Sequence, residues 1–198
     1  MSQFWNERFD REDYVYGLNP NAFFKSIIDD LKPGRILLPC EGEGRQAVYA
    51  AKLGWQVDAF DSSHVGQQKA LALAEEMGVE ITYNILNAED FNAIAQVYDA
   101  IGLVFAHFSP DLRQSIHRNL ISSLKPGGHL ILEGFRKEQF GLTSGGPRDI
   151  DMLFNTEMLE EDFSSLDIDL LAEEDRNLDE GAFHQGLAKL IHLKAMRP

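Results

Sequence analysis

One cysteine, Cys40, occurs in 198 residues, so no disulfide can form within the chain. A solitary thiol fits a reducing compartment, and the cytoplasm is the expected location. Long hydrophobic runs are missing as well, and no stretch approaches the roughly 18 uninterrupted apolar residues of a membrane span. The opening residues 1–8 (MSQFWNER) have neither the basic region nor the apolar run of a secretory signal. Positive charge is scarce: 18 lysines and arginines face 32 acidic residues, a formal net charge of −14. Such a surface repels phosphate backbones and anionic lipid, and no basic stripe offsets it locally. Neither nucleic acid nor a membrane is therefore expected as a partner. The 6 histidines are scattered without ligand spacing, with no HExxH and no paired CxxC, so no metal site is expected. Repeats, low-complexity segments and Pro/Ser-rich linkers are lacking too, which leaves one domain over 1–198.

What is present alternates between two periodicities. Asn19 before Pro20 reads as an N-cap with proline in the first helical turn. Phe23, Phe24, Ile27, Ile28 and Leu31 then recur at helical spacing, and Lys32-Pro33-Gly34 stops that helix. Seven strand segments are predicted at 35–39, 56–60, 81–86, 100–108, 129–135, 168–172 and 187–193. Helices are predicted over 46–53, 65–77 and 110–124, with a short one near 156–163. The nearly all-apolar 100–108 segment reads as a central parallel strand covered on both faces. The pattern predicts an α/β chain: a three-layer α-β-α Rossmann-like sandwich around a seven-stranded, mostly parallel sheet whose C-terminal strand is antiparallel. The acidic run Glu173-Glu174-Asp175 is expected to face water.

The chemistry-bearing segment is Leu37-Leu38-Pro39-Cys40-Glu41-Gly42-Glu43-Gly44-Arg45-Gln46-Ala47, which runs strand, glycine-rich turn, helix. Gly42 and Gly44 let the backbone approach a ligand closely, and the helix N-terminus offers unpaired N–H groups. Asp61 falls at the end of the second strand, where a carboxylate can accept from both ribose hydroxyls of an adenosine. The spacing Gly42-x-Gly44-x-x-Ala47 also satisfies a dinucleotide fingerprint, so a nicotinamide cofactor is an alternative at this point. Asn87-Ala88-Glu89-Asp90 after the third strand can meet an adenine edge with a side-chain acceptor and a backbone N–H. Together with Ala106-His107-Phe108 ending the fourth strand and Lys125-Pro126-Gly127-Gly128 before the fifth, this favours S-adenosylmethionine.

The order of these elements over about residues 30–135 resembles the class I S-adenosylmethionine-dependent methyltransferases. The flanks Trp5–Phe9, Tyr16–Pro20 and Glu180-Gly-Ala-Phe-His184 resemble the tellurite-resistance and thiopurine-methyltransferase-like branch. The resemblance implies an N-terminal arm or lid over 1–19, a cofactor-binding core over 20–135, and an acceptor-side, sheet-completing region over 136–198. It implies S-adenosylmethionine as cofactor, with Tyr16, Glu41, Gly42, Gly44, Asp61, Ser62, Asn87, Ala88, Ala106 and His107 around it. It departs from the family at Leu38, where an acid is usual, at Cys40, where glycine is usual, and at Asn87, where aspartate is common. Glu41 or Glu43 is a candidate to replace the missing acid.

Methyl transfer from a sulfonium is an in-line displacement, so alignment and exclusion of water dominate, the former contributing up to ~7–11 kcal/mol. A general base is required only when the acceptor is protonated at working pH. His107 and His184 are the catalytic candidates. His107 follows an apolar strand at the ligand-binding edge, and its unperturbed pKa near 6.5 suits proton transfer. A histidine that hydrogen-bonds a neighbouring loop is the alternative. His184 matches a family position near the acceptor, with a strand-end structural histidine as its alternative. Arg45 either orders the turn or lies on the helix surface, and residues 143–148 form either an acceptor-site flap or a plain connection. The expected partner is a small-molecule methyl acceptor, a thiol, selenium or tellurium species, and a monomer and a homodimer are both compatible with the pattern. Two competing functions stay open: an NAD(P)-dependent oxidoreductase, and a non-catalytic S-adenosylmethionine-binding module, the latter motivated by Leu38 and Cys40.

Overall fold

The structure is a computed structural model and describes residues 2–198. Its helices are α1 (Ser2–Phe9), α2 (Ala22–Ile28), α3 (Arg45–Lys52), α4 (His64–Glu76), α5 (Pro110–Ser122) and α6 (Thr156–Asp162). Its strands are β1 (Arg35–Pro39), β2 (Gln56–Asp61), β3 (Thr82–Ile85), β4 (Tyr98–Val104), β5 (Leu124–Phe135), β6 (Asp167–Asp179) and β7 (Gln185–Met196). They form one seven-stranded sheet in the order β3-β2-β1-β4-β5-β7-β6. The first five strands pair in parallel, whereas β7 runs antiparallel to both β5 and β6.

Side-chain alternation builds two cores from this sheet. Leu37, Leu130 and Leu132 point to one face and meet Ile116, Leu120, Leu159 and Phe163 from α5 and α6. Ile36, Leu38 and Ile131 point to the other, against Phe24 and Ile28 of α2, Ala47 and Ala50 of α3, and Ala70 of α4. Three layers result, as the alternation predicts. Among the described residues no helix is long and apolar enough to cross a membrane.

Boundaries differ from the sequence reading where side chains decide them. The cap of α2 is Asn21, not Asn19: its side chain accepts from Phe24 N at 2.9 Å. β4 stops at Val104 because Phe105 turns into the left-handed region (φ 54). β5 begins at Leu124 and carries Lys125–Gly128 as an irregularity, since Tyr98 pairs with Leu124 but Ala100 pairs with His129. β6 and β7 are far longer than their apolar segments, because ion pairs across β6 replace apolar alternation. Arg136 pairs with Glu173 and Asp175, and Lys189 with Asp175. Charge along this edge strand also discourages pairing with another sheet.

One ionic cluster lies inside the helical layer. Asp162, at the end of α6, takes two bonds from Arg113 (2.7 and 3.3 Å) and one contact from His117 Nδ1 (2.8 Å) on α5. All three side chains are buried.

Candidate functional site

From β1 the strand order departs in opposite directions, toward β2 and toward β4. The crevice outside the carboxyl ends of β1 and β4 is therefore the ligand position of such a sheet. Both strands end there in a residue with left-handed backbone, Cys40 (φ 55) and Phe105 (φ 54). For a side-chain-bearing residue this conformation costs about 1–2 kcal/mol, and such strain gathers at ligand sites. Cys40 thus holds a backbone conformation that glycine adopts without that cost.

The turn after β1 is built from Gly42 (φ 63) and Gly44 (φ 89). At Gly44 an added Cβ would lie 2.6 Å from Ala70 Cβ, so glycine there lets α3 pack on α4. Asp61 closes the turn from β2: Oδ2 accepts from Gly42 N at 3.2 Å and Oδ1 from Ser63 N at 2.8 Å. Tyr83 donates to Gly42 O at 2.7 Å. Burial pushes the Asp61 carboxyl above its ordinary value, against backbone N–H donors that favour the charge. A carboxylate offers about four acceptor positions, so Asp61 retains capacity for a ribose diol beside the two glycines.

Glu41 and Glu43 are both engaged within the chain. Glu41 Oε1 accepts from Gln46 N and Ala47 N, both at 2.8 Å, and so occupies the first turn of α3. Burial pushes its carboxyl up to about 8, overcoming those two N–H groups and the charge of Arg45. Its folded value lies above its ordinary 4.5, so the folded state resists losing this proton, and stability falls as pH rises from about 4.5 toward 8. Each unit corresponds to ~1.4 kcal/mol. The neutral isostere Glu41→Gln is therefore expected to raise Tm at pH 9 and to leave it unchanged at pH 4, as followed by calorimetry.

The N-terminal arm lies over this turn and is latched through its backbone. Lys69 on α4 donates to the carbonyls of Phe9 (3.3 Å), Arg11 (3.1 Å) and Asp13 (2.6 Å). Glu43 accepts from Val15 N (2.8 Å) and Tyr16 N (3.4 Å). Arg45, buried rather than on the helix surface, donates to Tyr16 O (2.9 Å) and to Glu180 Oε2 (2.8 Å). Asn6 of α1 accepts from Ser63 Oγ at 2.7 Å, and the Phe9 ring lies against Gly42.

Beyond Phe105 the crevice is walled by aromatic rings. His184 packs on Tyr16 and Phe105, with ring centroids 4.5 Å away in both cases, and on Phe135 at 5.4 Å. It arrives on the turn between β6 and β7. Residues 143–148 are pinned rather than loose, since Gln139 donates to Ser144 Oγ (2.9 Å) and to Gly145 O (3.0 Å).

The sequence candidates distribute as follows. Gly42, Gly44, Asp61 and Tyr16 converge with Glu41 around the turn, and half-buried Ser62 follows Asp61. Asn87 is exposed; its amide nitrogen donates to Asp90 (3.0 Å), which leaves its oxygen free. Ala88 packs on the core, and Ala106 is buried just past Phe105. His107 has both ring nitrogens engaged: Nδ1 with Met152 O (2.9 Å) and Nε2 accepting from Phe135 N (3.0 Å). Burial lowers its pKa to about 4, so the ring is neutral and its lone pair is already used. Phe105, Phe135 and Glu180 were not among the candidates. Glu180 opens the same five-residue motif that ends in His184, whereas nothing in the apolar fourth strand marks Phe105.

The fold and this turn define a class, the Rossmann-like fold of S-adenosylmethionine-dependent methyltransferases, and S-adenosylmethionine is the cofactor they imply. Residues 36–128 match the family model described as a methyltransferase domain. Over 93 residues the chain is 32% identical to a ribosomal protein L11 methyltransferase of Campylobacter concisus, a match covering 47% of this chain and 32% of that protein. The chain thus spans about a third of that curated relative's length. Among solved structures it is similar to one of the conversion of a disulfide bond into a thioacetal group during echinomycin biosynthesis (TM-score 0.80, 14% identity, covering 100% of this chain and 92% of that one). TehB from Haemophilus influenzae gives a TM-score of 0.75 at 15% identity, covering 100% and 67%. A SAM-dependent methyltransferase from Methanosarcina mazei gives 0.71 at 17%, covering 91% and 99%.

Proposed function

We propose that this chain transfers a methyl group from S-adenosylmethionine to a small-molecule acceptor by in-line displacement. The observation that carries this reading is the closing of the Gly42–Gly44 turn after β1 by Asp61 from the end of β2, beside the point where the strand order departs toward β4. When bound, the cofactor supplies an already activated methyl group on a sulfonium.

The chain's own residues bind, orient and exclude water. Asp61 accepts from the ribose hydroxyls, with Ser62 beside it. The turn through Gly42 and Gly44, with Phe9 and Ala70 filling the side where Cβ atoms would stand, lies against the cofactor, and Asn87 Oδ1 with Ala88 N–H meets the adenine edge. Ala106 and Phe105 form the wall on the β4 side. His107 braces β4 against β5 and the segment around Met152. Tyr16 and the latched arm roof the crevice, and Arg45 holds that roof to the turn between β6 and β7. This roof favours a small acceptor over a protein segment of the kind named for the Campylobacter relative. A thiol, selenium or tellurium species suits its aromatic lining, and a cytoplasmic setting keeps such acceptors reduced.

Calorimetric titration with S-adenosylhomocysteine tests the reading. Binding is expected, and Asp61→Ala is expected to weaken it by about 1–3 kcal/mol through loss of charge-assisted hydrogen bonds, or roughly 5- to 150-fold. Thermal stabilisation by NADH with none by S-adenosylhomocysteine would replace this proposal with the oxidoreductase alternative.

A further inference from the structure

A hollow of about 310 Å³ lies between the N-terminal helix and the turn that joins β6 to β7. Phe4, Glu7 and Arg8 of α1, Arg11 just beyond it and Phe183 of the turn line it. None of these belongs to the residues around the cofactor turn. The volume is at the lower end for small-molecule sites, about 300–1,000 Å³.

Arg8 sets this hollow apart. Arg35, Arg45, Arg113, Arg136 and Arg176 each pair with a carboxylate, and Arg11 is held by Asp13 at 2.9 Å. Among the described residues Arg8 has no such partner, and its hydrogen bond goes to Tyr16 Oη at 3.3 Å. Rings pack on it instead: its guanidinium carbon lies 4.0 Å from the centroid of Phe183 and 5.1 Å from that of Phe4. Cation–π contacts of this kind fix the plane of the guanidinium while leaving its N–H edge. Arginine carries five such donors, so several remain after Tyr16 is served. Phe4 is 54% exposed, which leaves apolar surface in water beside an unpaired cation.

We infer that this hollow binds a small aromatic monocarboxylate, its carboxylate on the Arg8 edge and its ring against Phe4 and Phe183. This site is separate from methyl transfer and would persist in a chain without transferase activity. Three features select the ligand. A guanidinium held in plane matches a carboxylate in two parallel hydrogen bonds, a geometry a lysine cannot offer. The two phenylalanine rings give a second ring a surface to pack on, which an inorganic anion cannot use. Glu7, which accepts from Gln3 at 3.0 Å, adds a negative charge to the rim and repels a second charge on the ligand. The net charge of −14 acts in the same direction, so binding depends on contact with Arg8 rather than on steering from a distance.

Occupancy bears on the roof of the crevice. Arg8 belongs to α1 and Phe183 to the turn between β6 and β7, so a ligand touching both ties the arm to that turn. It binds only while the arm is down, and mass action then disfavours lifting by a factor of 1 + [ligand]/Kd.

Calorimetric titration of the whole chain with benzoate tests the site, with benzyl alcohol and inorganic phosphate as comparisons. Benzoate is expected to bind with a Kd of about 1 mM or below, and both comparisons at least about tenfold more weakly. Arg8→Lys keeps the charge but loses the paired donors, and should weaken benzoate by about tenfold or more. Phe183→Leu should weaken it roughly twofold to tenfold while leaving the bond from Arg8 to Tyr16 in place, so a loosened arm in the first variant does not decide the outcome. Arg118→Gln, at an exposed position on α5, should leave binding unchanged. At ten times Kd, benzoate should slow proteolysis within residues 10–19 roughly tenfold. No benzoate binding, equal binding of benzyl alcohol, or parental affinity in both Arg8→Lys and Phe183→Leu overturns the site. Phosphate binding more tightly than benzoate overturns the ligand class, and binding without protection from protease overturns the tie between arm and turn.

Discussion

Asp162→Ala is expected to cost about 3–5 kcal/mol of folding stability, because it strands two buried partners rather than removing one contact. The Arg113 guanidinium would keep its charge with no carboxylate beside it, and His117 would lose the acceptor 2.8 Å from Nδ1. A domain of this kind has about 5–15 kcal/mol in total, so the midpoint of urea unfolding should fall steeply. Replacing all three residues together by apolar ones of similar volume should recover most of the loss, since a buried ionic triad contributes little net stability over good packing. An unchanged midpoint in the single variant would refute the account. The same cluster makes acid destabilising. Burial lowers the His117 pKa despite Asp162, so the unfolded chain takes up a proton below about 6.5 that the folded one resists. Burial raises Asp162, but its bonds to His117 and Arg113 win and hold it below its ordinary value. Its contribution is therefore present above about 3.8 and is lost as pH falls through the lower folded value. Both signs agree, and the triad-free variant should show a shallower loss on acidification.

Gly181→Ala carries the second large effect, and it acts on the roof of the crevice. At φ 80, an added Cβ would lie 2.3 Å from Val15 O and 2.7 Å from both Gly17 N and Tyr16 Cα. Each of these is backbone and cannot rotate away. Overpacking of this kind costs about 1–3 kcal/mol, and a left-handed alanine adds about 1–2. The arm is therefore expected to lift, breaking the bond from Arg45 to Tyr16 O and opening residues 10–19 to proteases. Cleavage there should accelerate at least tenfold, and methyl transfer should fall in step. Gly186→Ala is the control: its φ of 97 is equally unfavourable, but nothing lies within 4 Å of the added atom. It should lose only the conformational cost and leave the arm resistant. Equal protease sensitivity in the two variants would sever the link between Gly181 and the arm.

The sheet was legible where strands are short apolar runs beside glycine or proline, such as Arg35–Pro39 before the glycine turn. Residues pairing at close range were legible too, as the placement of Asp61 against Gly42 illustrates. Less legible were features that depend on partners distant along the chain. β6 reads as a polar stretch because its regularity comes from Arg136 and Lys189 on other segments. Arg45 looks like a surface arginine until Glu180, 135 residues further on, returns to meet it. His107 and His184 are alike in sequence, each following apolar or aromatic residues. Only the third dimension shows that one ring has both nitrogens spoken for and the other does not. Left-handed backbone at Phe105 left no trace in composition, since glycine was absent from the position that needed it.

The latch over the crevice grips carbonyls and amides of residues 9–16, with the side chains of Phe9, Tyr14 and Val15 packed beneath it. Peptide groups are common to every amino acid, so substitutions at the exposed positions 10–13 leave the clasp intact so long as proline and the chain trace are respected. That outer stretch can thus drift in sequence without re-engineering the machinery that shuts the crevice.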